Sequence, residues 1–236
     1  MATPPSTVFS SPIVTVLVGP GKAPYSVHKD VLVQASPFFA DRLAQGTANN
    51  STTNEVTFPD PDVTREPFIS FIYWAYYGTI DPRQLNVFGS VWLKHSWLLA
   101  YKLRMPQWQN RIIDALIDTC WKKRRVEISE LAWLVNHVPR HSNLFRLALD
   151  QFAYDISDKG VKYDDKELKR LFDTSSFSIC DILRTIAGIA KSEEPIADRK
   201  RYYEPEKAEK VEEKKKRKTE DTQPSEGTTI KRPKSD

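Results

Sequence analysis

Ser26-Val27-His28-Lys29-Asp30-Val31-Leu32-Val33-Gln34-Ala35-Ser36-Pro37-Phe38-Phe39 is the stretch on which the fold turns. Val27, Val31, Leu32 and Ala35 recur at helical spacing, which predicts a short helix with one apolar face. Ser36 offers a hydroxyl to cap a second helix. Pro37 suits that helix's first position, where no backbone N–H is needed. Phe38 and Phe39 then place two large rings just inside it. Two short helices meeting at a Ser-Pro corner give an aromatic cluster on which other elements pack.

Upstream, Ile13 to Val18 is a β-branched run closed by Gly19-Pro20-Gly21, a strand followed by a turn. Pro24 to Val27 is the expected returning strand. Downstream, the small polar residues of Ala44 to Asn54 read as a loop, and the alternation in Glu55 to Phe58 as a third strand. Thr64 is placed to cap the next helix, whose buried face is Phe68, Phe71, Ile72 and Ala75. Gly78 sits where a helix C-cap belongs. A further helix is expected over Val87 to Leu103, with Val91, Trp92, Leu98 and Leu99 buried. Pro106 interrupts it, and Trp108 to Cys120 continues. The rings of Phe38, Phe39, Phe68, Phe71, Trp74, Tyr76 and Trp92 are expected in the core.

The opening stretch resembles the BTB/POZ signature, hydrophobic-x-hydrophobic-His-Lys-x-x-Leu-x-x-x-Ser-x-x-Phe, with His28, Lys29, Leu32, Ser36 and Phe39 all in register. The helix end containing Tyr76 and Gly78 is similar to the family's Leu-x-Tyr-x-Tyr-Thr-Gly. The segment from Ala100 to Leu116 resembles its last helical pair. Ser142 to Asp150, read as Ser-x-Leu-x-Arg-Leu-x-x-Asp, resembles the short helical extension of many fungal members. The resemblance implies an α+β BTB/POZ fold, a small β-sheet with a helical cluster, over residues 12–121. An all-α extension over 122–190 follows, with helices at Ser129–Val138, Asn143–Ile156, Asp165–Phe172 and Phe177–Ala190. Residues 1–11 are expected to be disordered, and 191–236 to form a disordered charged tail.

The resemblance further implies a non-enzymatic protein–protein interaction module, self-associating and acting as a nuclear regulatory scaffold. The alternative is a substrate adaptor of a cullin-RING E3 ubiquitin ligase. Two departures bear on this. Many BTB domains carry an aspartate at the dimer interface where this chain has Ile13. The hydrophobic-x-Glu motif of cullin-binding members has no counterpart in Ala44 to Asn54.

Composition narrows the function classes. Hydrophobic residues make up 40% of the 236 and aromatics 11%, enough for a globular body. The formal charge is only +4. From Pro195 onward lie 13 Lys/Arg and 10 Asp/Glu, leaving 22 and 21 of the chain's 35 and 31 for the body. The body therefore has no field for gripping nucleic acid, and no specific nucleic-acid partner is expected. Cys120 and Cys180 lack CxxC or Cys/His partners, which favours a reducing compartment. The start lacks the basic and apolar regions of a signal peptide. No stretch of about 18 apolar residues occurs, so no membrane partner is expected.

No phosphate loop or nucleophile elbow is present. Gly19-Pro20-Gly21 lacks the Lys-Ser/Thr of a P-loop. His137 and His141 have the spacing of metal ligands on a helix, but Pro139 separates them. Accordingly no catalytic, cofactor-binding or metal residues are assigned, and no small-molecule substrate is expected. The expected partners are proteins: a second copy, a cullin as the alternative, and an importin for the tail. Lys214, Lys215, Lys216, Arg217 and Lys218 form the nuclear-import candidate, with Arg199-Lys200-Arg201 at a distance suited to a two-part signal.

Overall fold

The computed structural model describes residues 10–48, 55–58, 63–122, 125–157, 162–174 and 194–206. Strands β1 (Ile13–Val18) and β2 (Ala23–His28) form an antiparallel hairpin whose register runs from Ile13 opposite His28 to Val18 opposite Ala23. The third strand, β3 (Glu55–Thr57), pairs parallel to β1, giving the order β2-β1-β3. Strand side chains alternate between faces. Val14, Val16 and Val18 therefore point inward and are essentially fully buried.

Helices α1 (Lys29–Ala35) and α2 (Pro37–Ala48) follow the hairpin, with Pro37 opening α2 after the Ser36 corner. Then come α3 (Arg65–Tyr77), α4 (Pro82–Lys102) and α5 (Pro106–Leu116). Asp81 caps α4, its carboxylate accepting the Arg83 backbone N–H at 3.0 Å. A five-residue π-helical turn, Ile117–Trp121, continues α5. Helices α6 (Ile128–His137), α7 (Asn143–Ser157) and α8 (Asp165–Thr174) succeed it, with a 3₁₀ turn at Arg199–Tyr202. All contacts described below lie within the compact unit Met1–Glu204.

The expected aromatic cluster is the centre of the core. Phe71 stacks on Phe39 with centroids 5.5 Å apart, meets Phe68 at 5.4 Å and reaches Trp108 of α5 at 6.0 Å. Phe38, half-buried, closes the cluster against Phe58 just beyond β3. Farther along, α6 packs on α7 and α8. Ahead of α8, Tyr163 fills the space beside Phe152 and donates to the Val126 carbonyl at 3.1 Å.

Four expectations need correction. Helix α2 runs on to Ala48, where a loop was expected from Ala44. Once packed rings nucleate a helix, each further residue adds a hydrogen bond, and short polar side chains alone do not stop it. Helix α4 begins at Pro82 rather than Val87 and is broken at Gly89, whose φ of +55° and ψ of −145° are non-helical. Val91, expected inside, is 59% exposed, while Trp92, Leu93 and Trp97 are buried. The seam lies one position away from the one drawn through Val91. Finally, the solvated tail expected from residue 191 includes an anchored piece, because Ile196 and Tyr202 belong to the core. The helix expected over Phe177–Ala190 and the import candidate Lys214 to Lys218 lie outside the described residues.

Phe71 touches three other rings, so truncating it leaves a void the cluster cannot refill. Phe71→Ala is expected to lower stability by about 3–5 kcal/mol, read as a shift of the urea unfolding midpoint at unchanged slope.

Candidate functional site

The signature residues knit the hairpin to three helices. His28 ends β2 and stands at the N-cap of α1. Its Nδ1 lies 2.6 Å from the Tyr76 hydroxyl, and its backbone N–H donates to the same oxygen at 3.2 Å. The two rings meet edge to face at 5.9 Å. Lys29 opens α1, its N–H donating to the Pro12 carbonyl at 2.8 Å, so the helix starts beside the beginning of β1. Leu32, Ser36 and Phe39 are completely buried. The Ser36 hydroxyl donates to the Leu103 carbonyl at the end of α4 at 2.9 Å, and it accepts the Phe39 N–H at 3.5 Å. Gly78 takes the left-handed conformation, φ +65°, at the C-cap of α3, and its N–H closes onto the Trp74 carbonyl. These seven residues therefore hold the scaffold together.

The surface around that scaffold carries apolar side chains in water. Ile13 on β1, Val33 on α1, Tyr77 on α3, and Val91 and Tyr101 on α4 are the exposed large hydrophobic residues among those described. Tyr77 pairs with Tyr73 at 4.7 Å. Between α4 and α6, the Trp133 ring lies between His95 at 4.7 Å and His137 at 4.6 Å. Both imidazoles have Nδ1 2.8 Å from the carbonyl four residues back. His137 is thus engaged at the end of α6, whereas His141 lies beyond Pro139. Among the described residues, no group of three or more His, Cys, Asp or Glu could hold a metal ion. None of the described helices is long and apolar enough to cross a membrane.

A second region was expected only as the upstream half of an import signal, at Arg199-Lys200-Arg201. Residues 199–204 lie along α5, the π turn and α7. The Arg199 guanidinium grips both carboxylate oxygens of Asp118, at 2.9 and 3.1 Å, and reaches Asp114 at 3.3 Å. Tyr202 is fully buried and donates to Asp150 at 2.7 Å, while Tyr203 donates to Asp114. The side-chain amide of Asn110 accepts the Glu204 N–H at 2.7 Å and donates to the Glu204 carbonyl at 3.0 Å. The only sequence signal was the Tyr202-Tyr203 pair inside an otherwise charged run.

These contacts shift the groups involved. Hydrogen bonds from Arg199 hold the Asp118 carboxyl down at about 2, against an ordinary 3.8, with Lys122 assisting. Burial, then the bond to Asp114, pushes the Tyr203 phenol up to about 12. Burial likewise raises Tyr202.

Residues 13–119, a little under half of the chain, match the family model of the BTB/POZ domain. The match spans the three-stranded sheet ordered β2-β1-β3 and the helices that clasp it at the buried Ser-Pro corner. Residues 13–119 are therefore a BTB/POZ domain, a protein–protein interaction module. No curated protein matched the chain.

The Asp118 shift has a definite sign. A carboxylate whose pKa is depressed by folding stabilises the fold above its unfolded value and loses that contribution as pH falls through the folded one. The contacts of residues 199–204 are therefore expected to loosen between about pH 4 and pH 2. Asp118→Asn should remove that step from an acid titration followed by tyrosine fluorescence and amide exchange of this segment.

Proposed function

We propose that the protein is a self-associating, non-enzymatic scaffold that brings partner proteins together in the nucleus. The observation that carries self-association is Ile13. At the start of β1, where the family resemblance expects an aspartate, an isoleucine stands 45% exposed. The bond from Lys29 to Pro12 brings the start of α1 alongside, and Val33, one turn on, is 37% exposed. Apolar side chains at this end of the hairpin gain by being covered. A second copy supplies the same surface, as a two-fold contact requires.

Nuclear import is proposed from the five consecutive cations Lys214 to Lys218. Five consecutive cations suit an acidic receptor groove lined with tryptophan. The cullin-adaptor alternative has only exposed helix residues such as Tyr77 and Val91 to support it. It also lacks the hydrophobic-x-Glu motif ahead of β3, so the scaffold reading is preferred.

Light scattering of the full chain at tens of micromolar is expected to give a dimer mass. Ile13→Asp combined with Val33→Glu should shift it to the monomer without changing the melting profile. A strictly monomeric wild type would overturn self-association. Separately, replacing Lys214, Lys215, Lys216, Arg217 and Lys218 with alanine is expected to move a fluorescently tagged chain out of the nucleus. An unchanged distribution would remove the import reading.

A further inference from the structure

The region held by Asn110, Asp118, Asn143 and Asp150 is built as a peptide site is built. Asn110 makes both hydrogen bonds of a strand-like pairing with Glu204 through its side-chain amide alone. Asn143 adds one bond a residue earlier, its side-chain amide donating to the Tyr203 carbonyl at 3.2 Å. These contacts read main chain, and the Asn143 backbone N–H adds a contact to the Glu204 carboxylate at 3.4 Å. Tyr203 is extended, with φ −76° and ψ 140°, the shape a bound peptide takes. Selectivity comes from a pocket that takes the Tyr202 ring and ends in Asp150, and from Asp118, whose two oxygens match a guanidinium fork.

The occupant joins one core ring, Tyr202, to a run of charged residues that stay at the surface. It is a single short turn, and three of its residues, Arg199, Lys200 and Arg201, are cationic. Only one of its side chains is completely buried, an aromatic anchor of the kind that dominates peptide interfaces. Asp118 is half exposed, so water reaches its ion pair with Arg199 and screens part of its attraction. Surface segments with few buried apolar side chains are the class that opens locally, below the free energy of global unfolding.

We propose that the groove between α5 and α7 is a binding site for a partner protein's peptide bearing arginine, then tyrosine three residues on, then an acidic residue two further. Residues 199–204 fill it in cis as a displaceable plug. This reading is independent of self-association and of nuclear import. Tethering gives the plug a high effective concentration, so the intact chain shows a partner peptide only the small fraction of open sites. Weakening the plug without touching the groove must then strengthen binding in trans.

The test uses the full chain and a fluorescently labelled synthetic peptide of residues 194–206. In anisotropy titrations, a chain carrying Arg199→Ala and Tyr203→Phe is expected to bind the peptide about tenfold more tightly than wild type. Adding Asn110→Ala should abolish that gain. Hydrogen exchange on the wild type supplies a readout that needs no variant. The amides of Ile196 and Glu204, which donate to Gln151 and Asn110, should exchange at least about tenfold faster than those of α5 and α7.

A folded double variant that binds no better than wild type would overturn the proposal. So would exchange of these two amides at the same slow rate as the helices, which would make the segment a fixed strut. A concentration-dependent dimer dissolved by Asn110→Ala would assign the groove to exchange between two copies and overturn the partner-peptide reading.

Discussion

A hydroxyl with no access to water, that of Ser36, donates to the carbonyl of Leu103 across 67 residues of chain. A buried donor left without an acceptor costs about 1–3 kcal/mol, so this corner is stable only where the end of α4 arrives to meet it. The same oxygen accepts the Phe39 N–H, which aims that ring at Phe71. Phe71 in turn reaches Trp108 on α5. One polar contact therefore sets where the hairpin, the paired helices α1 and α2, and the α4–α5 elbow meet. The signature serine acts through geometry, and the histidine ahead of it binds the end of α3 through Tyr76.

What was legible in the sequence followed from local rules. The β-branched run ending in Gly19-Pro20-Gly21 had one good reading, and the hairpin has it. The corner was legible because Ser36-Pro37 stops one helix and starts the next. Gly78 was placed correctly at the α3 C-cap because few residues adopt a left-handed conformation cheaply. Val91 was misplaced because the helical period carries no phase of its own. Its phase is fixed by the tertiary neighbours, which draw in Trp92, Leu93 and Trp97.

The anchored stretch at 194–204 was missed for a different reason. Composition averages over a window, and a window rich in Arg, Lys and Glu reads as solvated. Here the acids that neutralise Arg199 lie more than eighty residues away on α5 and the π turn, and the pocket for Tyr202 belongs partly to α7. No window contains both halves of such an interaction. The expected two-part basic signal acquires a structural meaning through the same contacts. Its upstream arginine is occupied with carboxylates of the body.

The π-helical turn at Ile117–Trp121 bears on how the chain is divided. It carries one more residue per turn than its neighbours and lies across residue 119, where the family match ends. The extra residue advances the helix face, and Trp121 arrives with its indole N–H on the buried carboxylate of Glu130, which also closes the capping box of α6. The recognisable domain and the helices after it therefore share one joint. The frontier that a comparison of sequences draws is not a seam along which the molecule comes apart. An architecture that looks like a module with an appendage is, at this joint, a single folding neighbourhood.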